Sequence, residues 1–170
     1  MNSGKEEEHM RVAYYEFLDM YHHQVRLSLD KTPVHNEPGH VLAICRYEGK
    51  WLLTKHRSRG LEFPGGKIEK GETPEEAVKR EVLEETGGLV SHITYIGQYE
   101  VDNGENRFRK NIYFVQIDDI LPLPHYMETD GPLLIKDFPE TIRQQEDFSF
   151  IMKDDLLPTV LNEIKEKHLL

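Results

Sequence analysis

The sequence predicts a single α/β domain in which a mixed β-sheet carries helices on both faces. The chain has 170 residues, of which 38% are hydrophobic and 31% charged, and this suits one domain with one sizeable core. Short segments of alternating or continuous apolar residues, typical of strands, recur along most of the chain. Two other segments, one central and one at the end, place apolar residues at helical spacing.

The predicted strands come mostly in pairs. Residues 24–30 alternate apolar and polar side chains and form the first strand. Residues 41–47 and 51–55 flank a Glu-Gly-Lys turn and are predicted to form a β-hairpin. Residues 93–101 and 111–117 form a second pair, joined by a polar loop. The order of strands and helices favours a mixed sheet over a purely antiparallel one.

The last third of the chain is less regular. Residues 118–140 contain four prolines and little periodicity, which predicts an irregular excursion. Residues 148–152 are predicted as a last strand. Asp155 is the candidate cap of a final helix packed on the sheet. Its predicted apolar face consists of Leu157, Val160, Leu161 and Ile164.

The most informative segment is residues 66–87, which read G-x5-E-x7-R-E-V-x-E-E-x-G. Within it, residues 73–76 combine a hydroxyl cap, a proline at the first helical position and a glutamate three residues after the cap, which starts a helix. Gly87 ends the helix, because glycine tolerates the left-handed conformation. Residues 63–66 end a strand and turn sharply, so the segment is predicted as loop, helix, loop.

Three glutamates of this helix are predicted to share one face. Glu81, Glu84 and Glu85 lie at positions i, i+3 and i+4, where like charges repel by a few tenths of a kcal/mol per pair, roughly. A divalent cation removes that repulsion, and carboxylate oxygens are the ligands that Mg²⁺ and Mn²⁺ prefer. A solvated acidic face would account for the glutamates alone, but not for the glycines in the same register.

Arg80 and Glu72 complete the pattern as candidate positioning residues. Arg80 can pair with Glu76 or Glu84 one helical turn away and hold a metal ligand in place. Glu72, in the preceding loop, can orient the ligands in the same way.

This pattern resembles the box of the Nudix hydrolases, G-x5-E-x7-R-E-U-x-E-E-x-G-U, where U is a bulky aliphatic residue. The sequence fills every position except the last, where Gly88 stands, and Leu89 is expected to take over its packing role. Five segments outside the box resemble the MutT-type nucleoside triphosphatases of the same family, namely residues 38–67, 96–101, 110–117, 128–134 and 148–158. The resemblance implies an α/β/α sandwich with a mixed sheet, in which the box forms the loop–helix–loop that carries the metal.

The resemblance also implies an activity. It is the hydrolysis of a nucleoside triphosphate, with 8-oxo-dGTP and dGTP as the expected substrates, to a monophosphate and pyrophosphate. The implied cofactor is Mg²⁺ or Mn²⁺, held by Glu81, Glu84 and Glu85 and joined by the backbone carbonyl of Gly65. A carboxylate must accept a proton from the attacking water. Glu84 or Glu85 could do so, or a glutamate further along the chain. The candidates of this second kind, in order, are Glu128, Glu105 and Glu146.

Two basic clusters near the box are candidates for phosphate contact, although a solvated turn explains each equally well. They are residues 55–59 and 107–110. The candidate substrate-binding residues are Lys55, Arg57, Arg59, Lys67 and Arg109. Tyr99, Tyr113 and Phe114 could stack on a base, but core packing is the favoured interpretation.

The composition excludes several classes of protein. The net charge of −10 argues against broad nucleic-acid binding, and no apolar run has the length of a membrane span. Cys45 is the only cysteine and lies in an apolar run, which predicts a buried thiol and a reducing cytoplasm. Residues 1–10 are polar, resemble neither a signal nor a transit peptide, and are expected to be a disordered lead-in.

Three functional hypotheses therefore stand. The first is a hydrolase of the nucleotide pool, and the second is an RNA 5′-pyrophosphohydrolase acting on triphosphorylated transcripts. Both use the same chemistry, so the box does not separate them. The third is a non-catalytic nucleotide-binding module, which predicts the loss of at least one box glutamate, and none is lost.

Overall fold

The computed structural model of the protein describes residues 13–170. In this part of the chain nine strands and two α-helices are joined by loops and two 3-10 turns. Residues 1–10, the expected disordered lead-in, lie outside the described residues. The elements in chain order are β1 (Tyr15–Leu18), β2 (Gln24–Ser28), β3 (His40–Tyr47), β4 (Lys50–His56), β5 (Gly60–Glu62), β6 (Gly65–Lys67), α1 (Pro74–Thr86), β7 (Gly88–Asp102), β8 (Arg107–Ile120), β9 (Thr129–Ile135) and α2 (Leu156–Glu166).

The nine strands form one mixed sheet. Its main path runs β1-β2-β7-β8-β3-β4-β5, while β6 pairs with β3 and β9 pairs with β4. The pairing of β3 with β8 is parallel and runs in register from His40 opposite Lys110 to Arg46 opposite Gln116. The other strand pairs are antiparallel. The prediction of a mixed sheet is therefore confirmed.

The two helices cover opposite faces of the sheet. Along β3, Val41, Ala43 and Cys45 are buried in the core beneath α1, whereas Leu42 and Ile44 are buried in the core beneath α2. This alternation follows from the two-residue period of a strand. The α/β/α sandwich is confirmed, and so is the buried environment of Cys45.

The central helix begins and ends where the sequence predicts. The hydroxyl of Thr73 accepts a hydrogen bond from the Glu76 N–H at 3.1 Å, and the Glu76 carboxylate accepts one from the Thr73 N–H at 2.9 Å. These two bonds form a capping box. At the other end Gly87 adopts φ 75°, and its N–H donates to the carbonyl of Leu83. The predicted hairpin is formed by β3 and β4, and the second pair by β7 and β8, whose ends extend into the loop between them.

The prediction of an irregular excursion over residues 118–140 is wrong for residues 118–120 and 129–135, which lie in strands, and is confirmed for the residues between and after them. β8 continues to Ile120, and β9 pairs with β4 over several residues. Gly131 and Pro132 conceal this strand in the sequence, because both residues are unfavourable in strand interiors. Gly131 has φ 93°, and the pairing of β4 with β9 shifts register nearby, so the strand accommodates both residues as an irregularity.

The predicted last strand at residues 148–152 is also wrong. Phe148 makes one isolated parallel bridge with Leu61, and Phe150–Met152 then forms a 3-10 turn. The final helix is confirmed, but the side chain of Asp155 makes no capping hydrogen bond. The carboxylate of Asp154 accepts the hydrogen bond from the Leu156 N–H at 3.0 Å instead.

The expected packing role of Leu89 is not seen either, because 38% of this residue is exposed. Gly88 is itself buried, and an added Cβ there would lie 2.9 Å from Val82 and from Thr86. A side chain at position 88, where the family pattern has an aliphatic residue, would therefore require Val82 or Thr86 to shift. Separately, none of the helices within residues 13–170 has the length and hydropathy needed to cross a membrane.

Candidate active site

The C-terminal half of α1 lies against the short strand β6 and forms an acidic platform. The carboxylate of Glu81 packs directly on Gly66, so closely that a Cβ at this position would collide with it. Gly65 similarly approaches the backbone of Val41 too closely for a side chain. Gly65 therefore lets β6 approach β3, and Gly66 lets β6 approach the glutamate-bearing helix. Residues 65–67 are a strand paired with β3, where the sequence predicted a loop.

Arg80 holds several of the platform's carboxylates at once. Its Nε lies 2.7 Å from Glu72 Oε2, and its Nη1 lies 2.8 Å from Glu81 Oε1 and 3.3 Å from Glu84 Oε2. Its Nη2 also donates to the backbone carbonyl of Lys67 at 2.9 Å. The planar guanidinium thus ties the loop before the helix to two of its glutamates. The pairing of Arg80 with Glu84 is confirmed.

Glu85 is the buried member of the platform, only 8% exposed. Its Oε1 accepts a hydrogen bond from the Gly65 N–H at 3.4 Å. Burial, together with the hydrogen bond and negative charge of Glu81, raises the pKa of Glu85 to about 9. Burial and the charge of Glu81 also raise the pKa of Glu84. The protein thus gathers carboxylates where their ionised forms are disfavoured unless a cation joins them.

This donor set fits a hard divalent cation. Carboxylate oxygens are the ligands of Mg²⁺ and Mn²⁺, and raised carboxylate pKa values are what a bound cation would reverse. As the side chains stand, no three acidic or histidine side chains of residues 13–170 converge as a ready ligand group. In this arrangement Arg80 is hydrogen-bonded to both Glu81 and Glu84.

A cleft of about 940 Å³ opens beside the platform. From α1 and β6 it crosses β3, β8 and β7 and reaches β2 and the β1–β2 turn. Its near end is acidic, and its middle is lined by Leu42, Tyr99, Val101 and Phe108. Asp154 lies at the far end, where burial raises its pKa to about 6. The volume is at the upper end of the range for small-molecule sites, about 300–1,000 Å³.

Glu128 is the one of the three downstream glutamate candidates that lines this cleft. It lies in the loop between β8 and β9, and its side chain is 89% exposed. Its Oε2 is 3.9 Å from Nε2 of His56. The Nδ1 of His56 accepts hydrogen bonds from the N–H groups of Ser58 and Arg59, which leaves the imidazole proton on Nε2, facing Glu128. Glu105 and Glu146 are not among the lining residues.

The structure separates the candidate substrate-binding residues into two groups. Arg59 and Lys67 line the cleft, and Arg59 is held by a two-point contact with the buried Glu62 at 2.7 and 3.1 Å. The other three lie outside it. Arg57 pairs with Asp130, Arg109 pairs with Glu100, and Lys55 is exposed on β4.

The sequence did not single out His40, and it placed Lys110 only within the basic cluster of residues 107–110. His40 and Lys110 line the cleft on neighbouring strands, but their Cα pairing across a parallel ladder is not visible in either local sequence. The alternation of Arg107 to Lys110 held a partial signal, because alternate residues of a strand face opposite sides. Among the aromatic candidates, Tyr113 and Phe114 are core residues, and Tyr99 is buried at the cleft wall.

The fold and the carboxylates on α1 together indicate a hydrolase. Comparison with known proteins supports this conclusion. A profile of the NUDIX domain matches residues 32–147, and the chain belongs to the Nudix family of hydrolases. A Bacillus subtilis (strain 168) protein provisionally named 8-oxo-dGTP diphosphatase YtkD is 50% identical over 152 residues, which are 89% of this chain and 96% of the relative.

Solved structures show the same relationship. The crystal structure of a mutant of the Bacillus subtilis pyrophosphohydrolase BsRppH matches with a TM-score of 0.88 and 49% identity, covering 90% of this chain and 97% of that one. A Nudix hydrolase from Nitrosomonas europaea matches with a TM-score of 0.58 at 23% identity, over 78% and 90% of the two chains, which shows the shared fold. The 8-oxo-dGTP diphosphatase of Escherichia coli (strain K12) is 51% identical over 47 residues, 28% of this chain and 36% of that protein.

Proposed function

We propose that this Nudix hydrolase converts nucleoside triphosphates, with 8-oxo-dGTP and dGTP as its substrates, to monophosphates and pyrophosphate. The observation that carries the proposal is the acidic platform at one end of a cleft whose middle is apolar and aromatic. The phosphate groups of a nucleotide need cations to neutralise their charge, and its nucleobase needs an apolar surface to pack against. Retention of all the box glutamates, arranged on one platform, argues against a purely binding module.

The platform would hold Mg²⁺ or Mn²⁺ through Glu81, Glu84 and Glu85, with the carbonyl of Gly65 as a further ligand. When bound, the divalent ion supplies charge neutralisation for phosphate oxygens and lowers the pKa of a water molecule. Arg80 keeps the carboxylates in position through its contacts with Glu81 and Glu84. The remaining requirement is a group that takes the proton of the attacking water.

Glu84 and Glu128 are the two carboxylates that suit the role of general base. Glu84 lies on the platform, where burial and the charge of Glu81 raise its pKa and so make it a stronger base. Glu128 lines the cleft, is free of the Arg80 network, and faces the Nε2 of His56. Glu72 takes no proton in this proposal, because it is committed to Arg80 by two hydrogen bonds.

Triphosphorylated RNA is the second candidate substrate, and the length of the cleft favours it. Four strand spacings separate β6 from β2, about 19 Å at the usual distance between strands. An RNA enzyme needs room for at least a second nucleotide, which a short pocket would not offer. We place either activity in the cytoplasm, where such substrates occur and a thiol such as Cys45 stays reduced.

A kinetic comparison tests the proposal. Steady-state kcat/KM is measured with Mg²⁺ and with Mn²⁺ on 8-oxo-dGTP, dGTP and a short triphosphorylated RNA, with Glu84→Gln as the inactive control. We expect efficient hydrolysis of the mononucleotides, with loss of activity by several orders of magnitude in the variant. Efficiency on mononucleotides far below that on RNA would replace the first substrate class by the second.

A further inference from the structure

Three side chains form one row across the cleft, one from each of three neighbouring strands. His40 on β3 is the direct Cα partner of Lys67 on β6 and, on its other side, of Lys110 on β8. All three residues line the cleft. Because neighbouring strands lie about 4.8 Å apart, the row extends about 10 Å from the glutamate platform toward the apolar middle of the cleft.

The two lysines of this row have no acidic partner in the part of the chain that the structure describes. Within residues 13–170 neither Lys67 nor Lys110 forms a salt bridge, whereas the arginines of the same cleft, Arg59 and Arg80, are bound to glutamates. Lys110 instead places its Nζ 5.7 Å from the ring centre of Tyr99. In a chain with a net charge of −10, two such cations in one cleft attract an anion.

His40 lies between the two lysines as a neutral hydrogen-bonding group. Burial, and then the charges of Lys110 and Lys67, lower the pKa of His40, so its ring carries one donor and one acceptor nitrogen at neutral pH. Its Nδ1 is buried and has no hydrogen-bond partner among the described residues. An edge-to-face contact with Phe108, with 6.0 Å between ring centres, holds the ring in place.

We propose that His40, Lys67 and Lys110 form a metal-independent subsite for the phosphate group attached to the nucleoside. The inference deepens the proposed function and rests on it. The box glutamates act on the neighbouring anhydride bond, while the row holds the phosphate that leaves with the nucleoside product. The subsite therefore takes a nucleoside monophosphate and contributes to substrate binding without touching the metal.

Binding of GMP in the presence of EDTA tests the subsite by isothermal titration calorimetry. We expect the wild-type protein to bind GMP, and Lys110→Gln and His40→Gln to weaken binding about tenfold each, as for the loss of a hydrogen bond to a charged group. Lys110→Arg should stay within a few-fold of wild type because it keeps the charge. Lys50→Gln, which removes an exposed lysine at the start of β4, is the matched control and should bind as wild type does.

Guanosine, which lacks the phosphate, should bind wild type and Lys110→Gln equally. Absence of GMP binding to the metal-free wild type, or equal GMP affinity in wild type and Lys110→Gln, would overturn the inference. The measurement involves neither metal nor turnover, so its outcome is distinct from that of the proposed function. A protein that binds GMP in EDTA but hydrolyses no triphosphate would retain the subsite and lose the function.

Discussion

At the residue scale, the single side chain of Arg80 positions most of the carboxylates of the site. Its fork contacts Glu72, Glu81 and Glu84 together and also the backbone of β6. These contacts, and above all the hydrogen bonds that Arg80 donates to Glu72, raise the pKa of the guanidinium further, so it stays charged under all working conditions. Glu72 in turn has its pKa lowered, first by Arg80 and then by the N–H of Glu69. Arg80 and Glu72 therefore stay ionised and paired, and the pair holds the platform in position.

Replacing Arg80 by lysine should therefore preserve the positive charge but lose the contacts that hold the carboxylates in position. A single ammonium group does not reproduce the planar contacts to three carboxylates. We expect a fall of about 10- to 100-fold in activity or metal affinity, the usual cost of removing a residue that orients metal ligands. Titration of the hydrolysis rate with Mg²⁺ measures it, with Lys79→Gln on the exposed side of α1 as the control. Unchanged metal dependence in Arg80→Lys would contradict this role.

Glu85 makes the stability of the metal-free protein depend on pH. Its folded-state pKa of about 9 lies above its ordinary value of 4.5, so the folded state favours the protonated form. The stabilisation from this proton is complete below the ordinary value and is lost as the pH rises toward 9. In EDTA the Tm should therefore fall between about pH 5 and pH 9, and Glu85→Gln should remove most of this fall.

Differential scanning fluorimetry of both proteins across this range measures the effect. Excess Mg²⁺ should reduce the loss of Tm in the wild type, because a bound cation stabilises the ionised carboxylates. A Tm that rises with pH in EDTA, equally in both proteins, would show that Glu85 does not carry this charge penalty.

At the scale of elements, the end of α1 determines how the platform meets the sheet. Gly87 has φ 75°, its N–H closes the helix on Leu83, and its carbonyl accepts the N–H of Leu121. A Cβ at Gly87 would also collide with the carbonyl of Leu121. The hydroxyls of Thr54 and Thr129 both donate to the Glu85 carbonyl, at 3.0 and 3.2 Å, and anchor this end of the helix to β4 and β9.

Gly87→Ala should consequently destabilise the fold more than strain alone explains. A left-handed alanine costs roughly 1–2 kcal/mol, and the collision with Leu121 adds to this. Gly49→Ala is the matched control, because Gly49 has φ 73° and open space around its missing Cβ. Urea unfolding of both variants measures the difference in the free energy of unfolding. Equal losses would mean that the backbone beside Leu121 yields without cost.

The sequence predicts α1 well because its signals are local. The capping box, the proline at the first position and Gly87 act within a few residues of one another, and the structure has each of them in place. The strand at residues 129–135 was not predicted, for the opposite reason: its signals are not local. Gly131 and Pro132 disfavour a strand locally, and the segment becomes a strand only because it pairs with β4, where Thr54 donates a hydrogen bond to Gly131, 77 residues away in the sequence.

The prediction of a strand at residues 148–152 was wrong because their apolar pattern resembles that of a strand. Phe148 and Phe150 alternate as in a strand, but only Phe148 bridges to Leu61, and Ser149 accepts the N–H of Met152 to turn the chain. The same contrast between local and long-range signals applies to the site. Arg80 and the glutamates were predictable from spacing on one helix, whereas His40 and Lys110 meet only through the parallel pairing of β3 with β8.

At the scale of the whole molecule, the cleft exists because the sheet brings distant segments of chain side by side. The box lies at one end, and the β1–β2 turn lies at the other, with β3, β8 and β7 between them. Charge is distributed along the same axis, from the glutamates through Lys67 and Lys110 to the apolar middle. A molecule of net charge −10 thus offers a polyphosphate one local path of positive charge, to which bound cations would add.

The products of dGTP hydrolysis test the central claim most directly, namely that the platform on α1 directs metal-dependent cleavage to pyrophosphate. Phosphorus NMR of the wild-type reaction with Mg²⁺ should show dGMP and pyrophosphate only. EDTA or Glu84→Gln should reduce the rate by several orders of magnitude, while circular dichroism shows the variant folded. Formation of dGDP and inorganic phosphate, or undiminished hydrolysis by Glu84→Gln, would contradict the account.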